Sequence, residues 1–453
     1  MRRRGTILVS VLIIVALSAF AAAALMYRAQ AEITAAVASS RSHRARSAAM
    51  SGLRRAMSIL NIAREDQEVW YDNPELFQGQ LVSEDGVNSW YFTIYAYNPS
   101  DPDLLRNGLT DEAGKINVNV APADTLLRLP GMETELVDCL IDYRDRDEDT
   151  RPLGAEQDYY NQLPHPYLIR NGALGTLEEL LMVKDFTGPL VYGEDYNMNG
   201  LLEQNEDDAE ESFPPDNGDG LLDRGLLGLA TVWSYERNLS NDGEARGNLN
   251  LGGRVVQAVG LGETTEEFVE LYRAEDNQFS HPAELLEMEY ELRQDHGQLR
   301  AGTVISSGVT AQNLADVLDR LTTEGPVLFG KVNVNTASAE VLAALPGSDE
   351  DLADRIVGAR TNLDTAARET VAWLYTESLV GADRFKEIAP HLSARSFQFR
   401  VRCVAYGWPC GQFRVMEAVI DLALGSPRIV YQRDLTRLGM PFAIDAEQEQ
   451  RAQ

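Results

Sequence analysis

Residues 6–27 read TILVSVLIIVALSAFAAAALMY, an uncharged run of 22 residues. As a helix rising about 1.5 Å per residue it spans roughly 33 Å, enough to cross a bilayer. Arg2, Arg3 and Arg4 stand in front of it, and the bias of basic residues toward the cytoplasm places the N-terminus inside and everything after Tyr27 outside. Beyond the run there is no proline up to about Arg64 and no glycine before Gly52, while Met50, Leu53, Met57 and Leu60 fall at helical spacing. The pattern predicts one long helix, apolar in its first half and amphipathic in its second. A cleaved secretory signal is the rival reading, because AFAAAA at 19–24 offers small-residue sites. Against it, the apolar core is longer than the hydrophobic region of a usual signal, and no turn-forming break separates it from the helix that follows.

The 453-residue chain is 44% hydrophobic, enough for two or three domains with real cores. Its charge of −30 is unevenly spread. Residues 1–64 hold ten arginines and one acid, Glu32, which leaves the rest with 30 of the 40 basic groups and 69 of the 70 acidic ones, a body near −39. Such a body repels nucleic acid and anionic lipid, and divalent cations and basic partners suit it better. The five histidines are scattered and no G-x-S-x-G, H-E-x-x-H or P-loop occurs, so nothing points to an enzyme.

An internal repeat organises the middle of the chain. Residues 114–144, GKINVNVAPADTLLRLPGMETELVDCLIDYR, align without gaps with residues 330–360, GKVNVNTASAEVLAALPGSDEDLADRIVGAR. Each copy reads as an extended N-x-N entry, a helix beginning near Ala123 or Ala339, a tight L-P-G hairpin and a second helix. The asparagines are expected to cap the first helix, and Gly131 and Gly347 to take the positive φ that ends it. A weaker N-x-N stands at 248–250 with no L-P-G at the matching distance. The units resemble helix-hairpin-helix motifs, and the second copy also resembles competence-type DNA receptors. Met132-Glu133 and Ser348-Asp349-Glu350-Asp351 follow the hairpins, however, and carboxylates there oppose a phosphate, so the units read as protein scaffold without nucleic acid.

Residues 195–206, DYNMNGLLEQNE, fit the D-x-[DN]-x-[DN]-G-x5-E calcium loop at every position. Asp195, Asn197 and Asn199 would ligate through side chains, Leu201 through its carbonyl, Glu203 directly or through water, and Glu206 in bidentate fashion. A second acidic stretch carries Asp216, Asp219 and Asp223 without the first and twelfth positions, so it is either a shortened loop or a solvated turn. Glu203, Glu206, Asp207, Asp208, Glu210 and Glu211 crowd within nine residues, which favours one or two bound calcium ions over an empty polar loop.

Strands bracket this middle. Residues 90–97 alternate aromatic and β-branched side chains, and 397–404, 414–421 and 428–431 read as further antiparallel strands. Cys403 and Cys410 can pair across a turn containing Gly407 and Pro409, and two free thiols explain the same residues.

The basic leader, Gly5 and the unbroken apolar helix resemble a type IV pilin or pseudopilin. In that family a prepilin peptidase cuts after the glycine, which would make Thr6 the first mature residue. Ser10 stands where most members carry a glutamate, and that departure resembles the K-type minor pseudopilins of type II secretion systems, as do Arg151–Glu156, Tyr159-Tyr160, Pro166-Tyr167, Arg170–Gly172 and Glu179-Leu180. The resemblance implies an α+β fold, a pilin-like long helix plus antiparallel sheet with a large inserted all-α domain that carries calcium. The expected divisions are a leader (1–5), a transmembrane helix (6–27), its amphipathic continuation (28–64), the first part of the head (65–115), the insert (116–325), a second helix-hairpin-helix unit with the remaining head strands (326–442) and a polar tail (443–453). It further implies an inner-membrane anchor, a periplasmic body, and as partners the other minor pseudopilins, the major pseudopilin, the inner-membrane assembly platform and secreted cargo. A membrane-anchored DNA receptor for uptake and a minor pilin of a type IV pilus are the rival readings.

Overall fold

A computed structural model describes residues 4–99, 101, 103–209 and 211–443. The side chains of Gly5 and Thr6, together with Arg2, Arg3, Glu210 and the tail after Ala443, lie outside the described residues. One helix runs from Arg4 to Ala63. Its second half lies across a sheet with strand order Gln80–Glu84, Ser89–Tyr97, Gln398–Trp408, Phe413–Asp421 and Arg428–Asp434, antiparallel throughout. Both ends of the chain therefore build one head.

The period of two along each strand divides the side chains between two cores. Phe92, Ile94, Phe399, Val401, Cys403, Ala405, Met416, Ala418 and Ile420 face the stem, whose Ala45, Ala48, Ala49, Leu53, Ala56 and Leu60 cover them. Tyr91, Tyr95, Val404, Tyr406 and Val415 face the inserted domain on the other side. The small residues on the stem let it come close to the sheet. A Cβ on Gly52 would stand 2.5 Å from Cys403 Sγ and 3.0 Å from the Phe92 ring, so only glycine fits without repacking. Cys403 is thus spent on stem contact. Cys410 lies at the hairpin tip with its Sγ on the Gly407 carbonyl, and both thiols are free. Strand residues advance about 3.3 Å each, so the extended segment from Cys403 to Gly407 holds the two sulfurs apart, and the pairing considered above does not form.

The insert is not all-α: its helices are short and joined by long loops, and strands of two or three residues stitch it together. Each N-x-N enters through such a strand, which pairs in parallel with one much later in the chain: Ile116–Asn117 with Ala230–Thr231, Gly247–Asn248 with Leu321–Thr322, and Val332–Asn333 with Leu392–Ser393. There are therefore three such units, and the weak motif at 248–250 opens the middle one. In each, the first asparagine Oδ1 accepts the N–H of the second, at 3.0, 2.9 and 2.9 Å. The second asparagine's amide then donates to a distant carbonyl, Leu174, Phe279 or Arg368, at 3.0, 2.8 and 3.0 Å. These contacts close a loop of dozens of residues with a half-buried amide, so the asparagines pin loops, and the helix caps fall to Pro122 and Ser338.

A short helix, a glycine turn and a longer helix follow each entry: Ala123–Leu126 with Thr134–Arg144, Val255–Ala258 with Glu263–Ala274, and Ala339–Ala343 with Glu350–Arg360. The first member is little more than a single turn, shorter than a helix-hairpin-helix implies. Gly131, Gly260 and Gly347 hold φ of 72°, 79° and 75° at the turns, a region that costs a side chain energy. Arg144 donates to the carbonyls of Val118 and Ala121, and Arg360 to those of Val334 and Ala337, so the second helix of each outer unit is tied back to its own entry.

Candidate functional site

Two features of this fold carry chemistry or contact that the rest of the molecule does not use. The first is the stem. From Ile7 to Val37 its large apolar side chains are all exposed, Ile7 at 67%, Phe20 at 75% and Ile33 at 65%, and an apolar, membrane-length window lies at this end with none of it covered by the chain. From Ala45 onward the same helix is sealed against the sheet. Arg44, Arg46, Arg54 and Arg55 are exposed; Arg44 pairs with an acid of the head, Asp85, at 2.6 Å, and Arg46 acts by charge on another, Asp434.

The second is the acidic loop. Gly200, at φ 77°, makes the sharp turn that positions the residues around it, and its N–H donates to Asp195 at 3.2 Å. Asn197 and Asn199 donate to the two oxygens of Glu203 at 2.8 and 3.2 Å, while Glu206 folds back on the Glu203 N–H at 3.1 Å. The loop thus gathers Asn197, Asn199, Glu203 and Glu206, with Asp195 close enough to act on Glu206 by charge. Asp195 and Glu206 are buried. Burial, reinforced by the charges of Asp195 and Glu203, pushes the Glu206 carboxyl up to about 7, so this donor set holds more negative charge than its surroundings welcome. Arg224 Nε stands 3.9 Å from Asp195. In the second stretch Asp216, Asp219 and Asp223 each accept the N–H two residues on, from Gly218, Leu221 and Gly225. Glu194, which the motif left out, gathers that stretch by accepting from Asn217 and Asp223 at 3.3 and 3.1 Å.

Residues 107–192 and 332–391 match profiles described as type II secretion system (T2SS), protein K. The chain belongs to the protein K family of the type II secretion system. As a protein K it is a minor pseudopilin of that system, and its apolar N-terminal helix suits a single-pass membrane anchor. The two matches fall on the first and third units, and the middle unit lies between them. No curated protein matches the chain. Among solved structures it is similar to the crystal structure of the GspK-GspI-GspJ complex from enterotoxigenic Escherichia coli Type 2 Secretion System, at 12% identity and a TM-score of 0.40, over 90% of this chain and 98% of that one.

Within this protein K, a buried ion network that the sequence did not disclose seats the acidic loop on the head. Arg400 binds Glu112 at 2.7 Å and Glu417 at 2.9 Å, and Arg402 binds the other oxygen of Glu417 at 2.8 Å. Arg402 also donates to the carbonyl of Met198, inside the loop, at 2.8 Å. Arg433 links Glu417 to Glu178 at 3.2 and 2.7 Å. The arginines hold Glu417 well below the usual carboxylate range despite its burial. Alternation on the strands placed these arginines on one face; their partners come from residues 15 to 288 positions away, a distance no local pattern spans. The hairpin glycines are occupied too: a Cβ on Gly131 would meet Leu190, and one on Gly347 would meet Glu387.

Proposed function

We propose that this protein K caps the tip of a short periplasmic filament, packing its stem against the stems of the other minor pseudopilins and the major pseudopilin. The inner-membrane assembly platform would push that filament against secreted cargo. One observation carries the reading: a single 60-residue helix is sealed by its own sheet in one half and wholly bare in the other. Apolar surface of that extent is stable only in lipid or against other helices. The body, widened by three units, is too broad for the interior of a narrow filament and suits its end. Processing after Gly5, leaving Thr6 first, belongs to the same reading. Replacing Ile33 with arginine should leave the head folded, abolish co-purification with the other pseudopilins and leave cargo in the periplasm. Normal secretion with that variant as the only copy would overturn the proposal.

Calcium in the loops is part of it. Asp195, Asn197, Asn199, Leu201, Glu203 and Glu206 would hold one ion, and Asp216, Asp219 and Asp223 a second. The buried, mutually repelling carboxylates support this, since a cation relieves what burial and charge oppose. Bound ion would lock the loop that Arg402 already holds to the sheet. Chelation should lower the melting temperature, by the equivalent of about 2.7 kcal/mol if free calcium had been at 100 times its Kd; an unchanged melting temperature would sink this part.

A further inference from the structure

The acidic loops keep two aromatic side chains on the outside. Tyr196 is 57% exposed and Phe213 62%, although Met198 and Leu222 of the same loops are buried, as is Pro214 beside Phe213. The segment therefore has an interior of its own, and these two residues stand clear of it. Their rings meet edge to face, with centroids 4.8 Å apart and planes at 81°. They come from separate stretches that polar contacts clasp together. The Glu206 carboxylate accepts the Tyr196 N–H, and the neighbouring Asn205 donates its amide to the Phe213 carbonyl at 3.2 Å. A joined aromatic surface left this open in water is a contact surface more often than a packing remnant.

Its surroundings select the partner. No lysine or arginine occurs between Lys184 and Arg224, whereas residues 203–211 hold six acids. Asp207 and Glu211 are exposed. Among the described residues, the ion pair within these loops joins the largely buried Arg224 to the buried Asp195, away from the two rings. Such charge repels nucleic acid and anionic lipid. Ring faces beside carboxylates suit one side chain above others. The guanidinium of arginine is planar, stacks on an aromatic face and pairs two-pronged with a carboxylate, while the lysine ammonium is a strongly hydrated point charge. The chain already uses this stacking internally, with Arg106 over Tyr71 at 4.0 Å and Arg224 over Tyr97 at 4.6 Å. The loops also rest on the face of the sheet away from the stem, where Arg402 holds the Met198 carbonyl, so a partner here does not compete with contacts of the stem.

We propose that Tyr196 and Phe213, flanked by Asp207 and Glu211, dock an arginine-bearing segment of another protein, with a guanidinium laid on a ring and paired to a carboxylate. The inference needs neither the tip placement nor an ion in the loops, because Asp207 and Glu211 stand outside both calcium donor sets.

The test is fluorescence anisotropy of a dye-labelled peptide of alternating arginine and glycine, compared with its lysine counterpart of equal charge, on the full chain in neutral detergent with calcium present. The wild type should bind the arginine peptide about fivefold more tightly than the lysine peptide. Tyr196→Leu combined with Phe213→Leu keeps an apolar contact between the loops and removes the π faces; it should erase that preference and leave lysine binding unchanged. Asp207→Asn combined with Glu211→Gln should weaken both peptides. Equal affinity of the wild type for the two peptides, a preference that survives the leucine variant, or wild-type binding by the charge variant would overturn the proposal.

Discussion

The first and third units share a skeleton and differ in how they sit on the head. In both, an asparagine pair pins a distant carbonyl, a glycine at positive φ turns the chain, and an arginine ties the second helix to its entry. The first unit is held to the sheet by charge, through Glu112, Arg400, Glu417, Arg402 and Arg433. The third is held by hydroxyls and amides on a single carboxylate, Asp111, which accepts from Asn333, Thr336 and Ser396 at 3.1, 2.6 and 2.5 Å. The first unit also carries the acidic loops; the third has none. A repeated scaffold is thus fixed by a few pinning residues, and its connecting loops are free to acquire separate tasks.

Removing Glu417 is the largest blow to this arrangement. Glu417→Ala leaves the buried Arg402 without a carboxylate and takes one of two from Arg400 and from Arg433, and denaturant unfolding should show a loss of about 3–5 kcal/mol. A loss below about 1 kcal/mol would mean that the ionic seat and the hydroxyl seat do not differ in kind.

Next come the pins. Asn119→Ala, Asn250→Ala and Asn335→Ala should each cost about 1–3 kcal/mol, because a half-buried carbonyl is left without its donor. Similar values for all three would establish the middle unit as a true equivalent of the outer two. A negligible cost at Asn250 alone would break the threefold comparison.

The smallest effect is the share of the pH dependence that His281 of the middle unit contributes. His281 Nδ1 accepts the Ala283 N–H at 3.2 Å, where the third unit uses Thr370 Oγ1 on the Ala372 N–H at 3.4 Å. Burial pushes the His281 imidazole down to about 3 from its ordinary 6.5. The unfolded chain therefore takes up a proton that the folded one refuses. His281's contribution is whole above pH 6.5 and is lost as the pH falls toward 3, by at most about 1.4 kcal/mol per unit. Melting curves between pH 7 and 5 should show His281→Thr flattening that slope, and an unchanged slope would place the titrating group elsewhere.

Periodicity made the stem legible, since 22 uncharged residues followed by apolar positions at helical spacing admit few other structures. The gapless repeat of 31 residues made the outer units legible, and alternation gave the head strands. The middle unit was hidden because its glycine turn comes 12 residues after the first asparagine, while the outer units take 14; the Glu-Leu-Leu runs at 179–181 and 284–286, at matching places in the first two units, were a second signal that went unread.

What the sequence determined by itself was therefore everything encoded in neighbours: an apolar helix long enough for a membrane, strands that alternate, a turn that needs glycine, and acids crowded into one stretch of loop. The tertiary structure alone decided which asparagine meets which carbonyl, that Cys403 serves the stem and not a disulfide, and that Glu112 and Glu417 neutralise arginines far along the chain. The reason is physical. Local pattern reports the backbone conformation a segment prefers, whereas a buried polar group's partner is chosen only once separate segments have packed and water has been excluded between them.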